Sequence, residues 1–322
     1  MKPRPFGITT TQLAKICGVS QGTVDRALNG RKGISPKTKE AVLKAARDYG
    51  YRPNIHASRL SGGKSHLIGI VVFDLDNEYF SDLVMELEAL CRPAGDCAVV
   101  MFSHKDPARE KECLQQLWFL GVDGIVLCPV SQGKGFAEFL RSLQTPVVTV
   151  GNRIQGAPFV GIDDEKAMQE ATCHALQYGY EELLYVTAAL PKQGEVNAYA
   201  QQMRLKGFLS AAAAVPHRVA ERVETVEEML PTERRAAILC STDYFALQLL
   251  PLCQQGKAGL MGFDNSSVLP RCGVQLDSVA YDSRGTAKAA LDIVWGNRPP
   301  EDVTVRHKIV VRGSLAPHLP KG

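Results

Sequence analysis

The 322-residue sequence predicts an α/β protein, with a small N-terminal helix-turn-helix head joined to a bilobed body of two doubly wound parallel sheets. Three observations lead there. Residues 8–29 carry two short helical patterns hinged at Gly18, the layout of a helix-turn-helix. From residue 67 onward, short apolar runs alternate with helical stretches, which is repeated βαβ and implies parallel sheets covered on both faces. The alternation restarts after Asp163, so the body divides into two lobes.

In the head, the first pattern sets Leu13, Ala14 and Ile16 on one side, and the threonines at 9 to 11 offer an N-cap for exposed first-turn amides. Gly18 ends this helix, because a left-handed residue is tolerated there at little steric cost. Ser20 caps a second helix over 21–29. Val24, Ala27 and Leu28 face inward, leaving Gln21, Gly22, Asp25, Arg26 and Asn29 outward. Ser35-Pro36, a cap followed by proline at the first helical position, opens a third helix with Val42, Leu43, Ala45 and Ala46 as its apolar stripe, and Gly50 stops it. Three helices bury little surface alone, so the head is expected to be attached to something larger.

In the body, buried-strand runs are expected at 67–73, 98–102, 124–127 and 146–150, with helices at 80–92, 108–120 and 135–143 between them. The second lobe reads as a helix ending at 177, strand 183–187, helix 200–214, strand 237–241, helix 244–255 and strand 259–263. A helix over 282–295 and one alternating strand over 303–311 close the chain. Ligands of doubly wound folds sit at the carboxyl ends of strands, here in the cleft between the lobes.

Charge separates the two parts. Residues 1–66 hold thirteen Lys and Arg against three Asp and Glu, a balance of +10, so the overall +3 leaves −7 on the rest. Such a head favours a polyanionic partner through phosphate neutralisation. The 45% hydrophobic content contains no apolar run near the ~20 residues of a membrane span, and the N-terminus lacks the apolar stretch of a secretory signal. A cytoplasmic chain without a membrane partner is therefore expected. Nine cysteines, an odd number with no C-x-x-C pair, read as scattered buried thiols rather than a disulfide framework or zinc site, and no metal or cofactor is expected. Cys173-His174 comes nearest to a metal cluster, but adjacent helical residues point apart.

The chain is not expected to be an enzyme. Gly18 to Gly22 matches the hydrolase elbow G-x-S-x-G, yet a helix and not a strand precedes Ser20. Asp74 and Asp76 lack any acid, nucleophile or metal partner, and no phosphate-binding glycine loop occurs.

Taken in order, G-V-S-Q-G-T-V-D-R-A-L-N, I-S-P-K-T-K-E-A-V-L, G-Y-R-P-N-I-H-A-S-R-L, D-L-D-N-E-Y-F, V-D-G-I-V-L, P-V-V-T-V-G-N-R, R-L-K-G-F and G-F-D-N resemble the lactose-repressor (LacI/GalR) family of transcription regulators over nearly the whole chain. The resemblance implies a periplasmic-binding-protein-like body and a helix-turn-helix domain at 1–52. It also implies a hinge helix and linker at 53–66 and an effector-binding and dimerisation domain at 67–322. Its interleaved lobes are expected at 67–163 with 282–298 and at 164–281 with 299–322.

The same resemblance implies that the second helix lies in the major groove, with Gln21 and Gly22 at the main specificity positions, Arg26 reading a base and Asn29 making a neighbouring contact. Gly22 has no side chain to offer, so Gln21, suited to adenine, and Arg26, suited to guanine, carry direct readout. Thr9, Thr10, Ser20, Thr23, Ser35, Thr38 and Tyr51 resemble phosphate contacts, which fix register without naming bases. Asp25 replaces a common serine and is expected to turn from phosphate toward a cation such as Arg26 or Lys15. Asn54, Ala57 and Leu60 match the hinge helix, Leu60 being the minor-groove wedge; such wedges kink DNA by roughly 20–90°.

In the cleft, Tyr79, Phe80, Asn152, Arg204, Thr242, Asp264 and Tyr281 match effector-binding positions, a set suited to a sugar-like polyol. Ala198 and Ala200 stand where some members place polar contacts, and the loop between Gln255 and Gly259 is short, so effector identity does not transfer. The implied protein is a homodimeric repressor of a near-palindromic operator in double-stranded DNA, with affinity set by a small molecule. The alternative is a solute-binding sensor of a transport system, which would need export and no DNA head.

Overall fold

The computed structural model describes residues 8–28, 30–51, 64–192, 196–230, 235–256 and 258–316. The chain separates into two compact units at Ser65/His66. The expected contacts Asn29, Asn54, Ala57 and Leu60, and the hinge segment 53–63, lie outside the described residues.

The first unit contains α1 (Thr10–Cys17), α2 (Gln21–Leu28) and α3 (Pro36–Asp48). Thr9 and Gln12 form a reciprocal capping box, and Gly18 closes α1 in the left-handed conformation at φ 64°. The Ser20 and Ser35 hydroxyls accept from the Thr23 and Thr38 amides, each at 3.1 Å. Leu13, Ala14, Val24, Ala27, Val42 and Ala46 form the core. Ile16, expected beside Leu13, is instead exposed. A helix of two turns turns only part of its circumference to two neighbours, so position 16 falls outside the stripe.

The second unit comprises two six-stranded sheets. The N-lobe runs β1 (Leu67–Val72), α4 (Glu78–Cys91), β2 (Cys97–Phe102), α5 (Pro107–Leu120), β3 (Gly124–Leu127), α6 (Lys134–Ser142), β4 (Val147–Val150) and β5 (Phe159–Gly161). The C-lobe follows with α7 (Asp164–Leu176), β6 (Glu182–Val186), α8 (Tyr199–Ala212), β7 (His217–Ala220), α9 (Val226–Met229), β8 (Ala236–Cys240), α10 (Asp243–Gln254), β9 (Gly259–Phe263), α11 (Val268–Arg271) and β10 (Asp277–Tyr281). The chain then returns through α12 (Ser283–Val294) to β11 (Val303–Thr304) and crosses again to β12 (His307–Val310).

The sheet orders are β11-β5-β4-β3-β1-β2 and β12-β10-β9-β8-β6-β7. Among the described residues only β12, against β10, pairs antiparallel. On β1, Ile68, Ile70 and Val72 pack toward α4 and α12, while Val71 faces α5. The C-lobe sheet repeats this division. Leu183, Tyr185, Leu239 and Phe263 pack under α7 and α8, and Leu184, Val186, Ile238 and Cys240 under α10. Apolar side chains on both faces explain why these strands read as continuous apolar runs.

Four features depart from the sequence reading. The expected single strand over 303–311 is two strands in different lobes, so the last crossing falls between Thr304 and His307 and not at 298–299. Three strands gave no apolar run. β5 is only three residues long, β7 is an edge strand with two exposed positions, and β10 begins with the polar Asp277 and Ser278. Those two are buried because the Asp277 carboxylate accepts from the Arg312, Gly313 and Leu315 amides while Ser278 donates to Asp243 at 2.7 Å. Asp25 does pair with a cation, but it is Arg31, at 3.0 Å, whose amide donates to the Arg26 carbonyl at 2.9 Å and so returns the residue to the end of α2. The cysteines are free; Cys91, Cys113, Cys128, Cys240 and Cys253 are buried, but Cys97, Cys173 and Cys272 are exposed.

Candidate functional site

Two groups of residues carry chemistry beyond packing, one in each unit. In the head, Gln21, Gly22 and Arg26 are exposed on the face of α2 opposite buried Val24 and Ala27. The Arg26 Nε donates to the Gly22 carbonyl at 3.1 Å, which lays the guanidinium along the helix. The Gln21 side-chain amide donates to the Thr11 hydroxyl. A Cβ built on Gly22 would meet only the Arg26 Nη2 at 3.8 Å and the Ser20 Oγ at 3.9 Å, so the position is sterically open.

Thr9, Thr10, Ser20, Thr23, Ser35 and Thr38 all lie at the cap or in the first turn of a helix. The positive end of each helix dipole lies there, the end that attracts phosphate. Tyr51 joins them through a 2.9 Å hydrogen bond between its hydroxyl and that of Thr10. Lys15, Arg31, Lys32, Lys37, Lys39, Lys44 and Arg47 are exposed around them.

In the body, the strand ends of the two lobes bring four of the seven expected cleft residues together. Arg204, on α8, donates from Nε to Asp164 at 2.7 Å and from Nη1 to the Ser241 carbonyl at 2.7 Å. Its Nη1 lies 3.5 Å from Asp264, and its Cζ stands 3.7 Å from the centroid of the Phe263 ring. Asp264 follows β9 at φ 109° and accepts from the Tyr281 hydroxyl at 3.0 Å. The Tyr79 and Tyr281 rings meet edge to face at 4.9 Å, linking the lobes.

Burial pushes the Asp264 carboxyl up to about 6 against the pull of Arg204, and also raises Asp164, again opposed by Arg204. Burial works against the Arg204 charge, but Asp164 and Asp264 outweigh it and hold the guanidinium firmly protonated.

The other three residues take different places. Phe80 touches the Tyr79 ring at 5.0 Å but is turned to Phe73, at 4.9 Å, and to the N-lobe core. Thr242 is half-buried at the start of α10 and makes no capping bond there. The Asn152 amide is fully engaged: it donates to the carbonyls of Pro129 at 3.2 Å and Asn197 at 3.0 Å and accepts from the Ala200 amide at 3.1 Å.

Asn152 thus belongs to a clasp between the lobes that sequence reasoning missed. Asn197 extends it, donating to the Ser131 and Arg153 carbonyls at 3.3 and 3.0 Å. A second clasp stands elsewhere along the cleft. Glu78, in the first turn of α4, accepts from the hydroxyls of Ser266 and Ser267 and from the Val268 amide, while Asn77 donates to Asp264 at 3.3 Å. No local pattern in N-E-Y-F or N-S-S-V announces this pairing, since its partners lie 188 to 190 positions apart. Among the described residues no group of three His, Cys, Asp or Glu could hold a metal ion, and no helix is long and apolar enough to cross a membrane.

Comparison with known proteins places these two groups in a common frame. Residues 11–54 match the model of bacterial regulatory proteins of the lacI family, and residues 65–237 match that of periplasmic binding proteins and the sugar binding domain of the LacI family. The HTH-type transcriptional regulator PtxS of Pseudomonas plecoglossicida is 28% identical, with 95% of each chain covered. Catabolite control protein A of Staphylococcus xylosus is 25% identical over 95% of this chain and 99% of its own. The lac repressor dimer bound to operator and the anti-inducer ONPF shares the fold at a TM-score of 0.78 and 18% identity, covering 96% of this chain and 99% of that one.

Proposed function

Since the chain belongs to the LacI family of bacterial regulatory proteins and is a DNA-binding transcriptional regulator with an effector-binding body, we propose that it acts in the cytoplasm as a homodimeric repressor. Its operator is near-palindromic, with half-sites about one helical turn apart. The observation that carries this reading is the head itself, where one exposed row of Gln21, Gly22 and Arg26 is flanked by helix N-termini and cations. Cations and first-turn hydroxyls hold phosphate and fix register, while Gln21 and Arg26 read bases. Asn29, and Asn54, Ala57 and Leu60 of the hinge segment, complete the proposed contacts. The effector is sugar-like and binds among Tyr79, Phe80, Asn152, Arg204, Thr242, Asp264 and Tyr281. It changes operator affinity only by as much as it binds the two arrangements of the lobes differently.

Selection of bound fragments from random duplex DNA, followed by titration at several salt concentrations, tests this. Arg26→Ala is expected to cost about 1–3 kcal/mol at one base pair of each half-site and to relax preference there, whereas Lys37→Ala or Lys39→Ala weakens all sequences alike and flattens the salt slope. Equal loss on every duplex for Arg26→Ala would remove its reading role.

A further inference from the structure

Near Arg204, at the ends of β6 and β8, the C-lobe holds three buried hydroxyls that the family reading does not use. The Tyr185 hydroxyl, Thr187 Oγ1 and Ser241 Oγ have no hydrogen-bond partner among the described residues, although all three residues are at most 1% exposed. Polar groups so deeply buried are normally paired, and an unpaired one needs a reason. Their placement supplies it. Tyr185 and Leu239 face α7 and α8. Thr187 and Ser241 follow two positions later, one residue past the ends of β6 and β8, where the Thr187 and Ser241 amides still donate to the Ala220 and Val186 carbonyls, so they face the same way. Val186 pairs with Cys240 in register, which sets Thr187 beside Ser241. Arg204 sits over this corner, donating to the Ser241 carbonyl and lying within electrostatic reach of Tyr185.

Charge in the same corner is unequal. One guanidinium faces two carboxylates, Asp164 and Asp264, which are 3% and 6% exposed at their side chains. Among the described residues, the neighbouring side chains add no free cation to this pair: Arg312, which faces Asp243, bonds the Leu276 carbonyl and Asn265, and the His307 ring bonds Glu170. A phosphate or carboxylate ligand would have to draw Arg204 from its carboxylates and leave buried negative charge uncompensated next to its own. An uncharged hydroxyl does neither.

We propose that the cleft selects an uncharged polyhydroxylated ligand and rejects its phosphorylated or acidic forms, with Thr187, Ser241 and Tyr185 as hydroxyl partners around Arg204. The Tyr79 and Tyr281 rings give the ligand an apolar wall. This rests on the cleft being the effector site.

The full-length protein is titrated by calorimetry and thermal shift with D-glucose, D-ribose, D-xylose and myo-inositol, each beside its monophosphate, and with D-gluconate and D-ribonate. A neutral member is expected to bind, and its charged counterparts to bind at least about tenfold more weakly. Thr187→Val and Ser241→Ala are each expected to weaken the neutral ligand about three- to tenfold without lowering the melting temperature of the ligand-free protein. Equal or tighter binding of a charged counterpart overturns the proposal, as does an all-negative panel. Operator titration separates the two readings. A charged member that binds and shifts operator affinity leaves the effector site standing while this assignment falls. A neutral member that binds without shifting operator affinity does the reverse.

Discussion

Asp243 is 2% exposed at the start of α10, where its carboxylate accepts from the Ser266 amide and the Ser278 hydroxyl, each at 2.7 Å. Burial first, and the nearby Asp264 second, push its pKa up to about 7. In the unfolded chain an aspartate titrates near ~3.9. Between those two values the folded protein holds a proton that the unfolded chain releases, so stability falls as pH rises through the window, and the penalty is complete above about pH 7. From pH 6 to pH 8, Asp243 alone removes on the order of 1 kcal/mol. Melting followed at both pH values should therefore show a smaller drop for Asp243→Asn than for the unaltered protein. Parallel curves would mean that the carboxyl is ionised throughout. Glu78 behaves in the opposite sense. Burial raises it, but the hydroxyls of Ser266 and Ser267 and the Val268 amide outweigh that and leave it lowered, so its contribution is lost only as pH falls below the ordinary carboxylate range.

At the level of elements, α7 and α8 pack at a separation that one glycine permits. A Cβ on Gly207 would stand 2.1 Å from the Glu165 carbonyl oxygen and 3.1 Å from the Gln169 amide nitrogen, both backbone atoms that cannot turn aside. Gly207→Ala must push the helices apart. It is expected to cost about 1–3 kcal/mol and to loosen the Arg204–Asp164 pair that spans the same helices, measured as a lower melting temperature together with weaker ligand binding. An unchanged melting temperature would refute that close approach. This glycine stands inside R-L-K-G-F, so sequence reading reached the segment without its reason, because only the packed neighbour supplies one. Elsewhere, legibility followed local chemistry. Gly18, Ser20 and Ser35-Pro36 mark helix ends through groups on adjacent residues, and β3 and β9 are continuous apolar runs with the bounds expected. β10 was hidden because its buried carboxylate is satisfied by residues 312 to 315. The strand over 303–311 alternates without a break in sequence, and what divides it is a change of sheet.

Across the whole body, the described side chains tie the lobes through Asn152 with Asn197, through Asn77 and Glu78, and through the Tyr79–Tyr281 ring contact. A bilobed receptor held closed by its own side chains differs from one that ligand alone must close, because the binding-competent fraction multiplies apparent affinity. Hydrogen bonds to a charged carboxylate contribute on the order of 1.5–3 kcal/mol, enough to shift a closed–open ratio at least tenfold. Glu78→Ala removes the acceptor for two hydroxyls and an amide without touching Arg204, Tyr79 or Tyr281. Small-angle scattering of the ligand-free protein is then expected to show a larger radius of gyration, restored to the original value by saturating ligand. Glu78→Gln, which keeps one acceptor oxygen but loses the charge, should fall between the two. Apparent ligand affinity should drop in the same order, while the intrinsic contacts stay intact. If scattering from Glu78→Ala superposes on that of the unaltered protein, the Glu78 bonds contribute nothing to closure, and the remaining contacts at Asn152, Asn77 and Tyr79 hold the lobes.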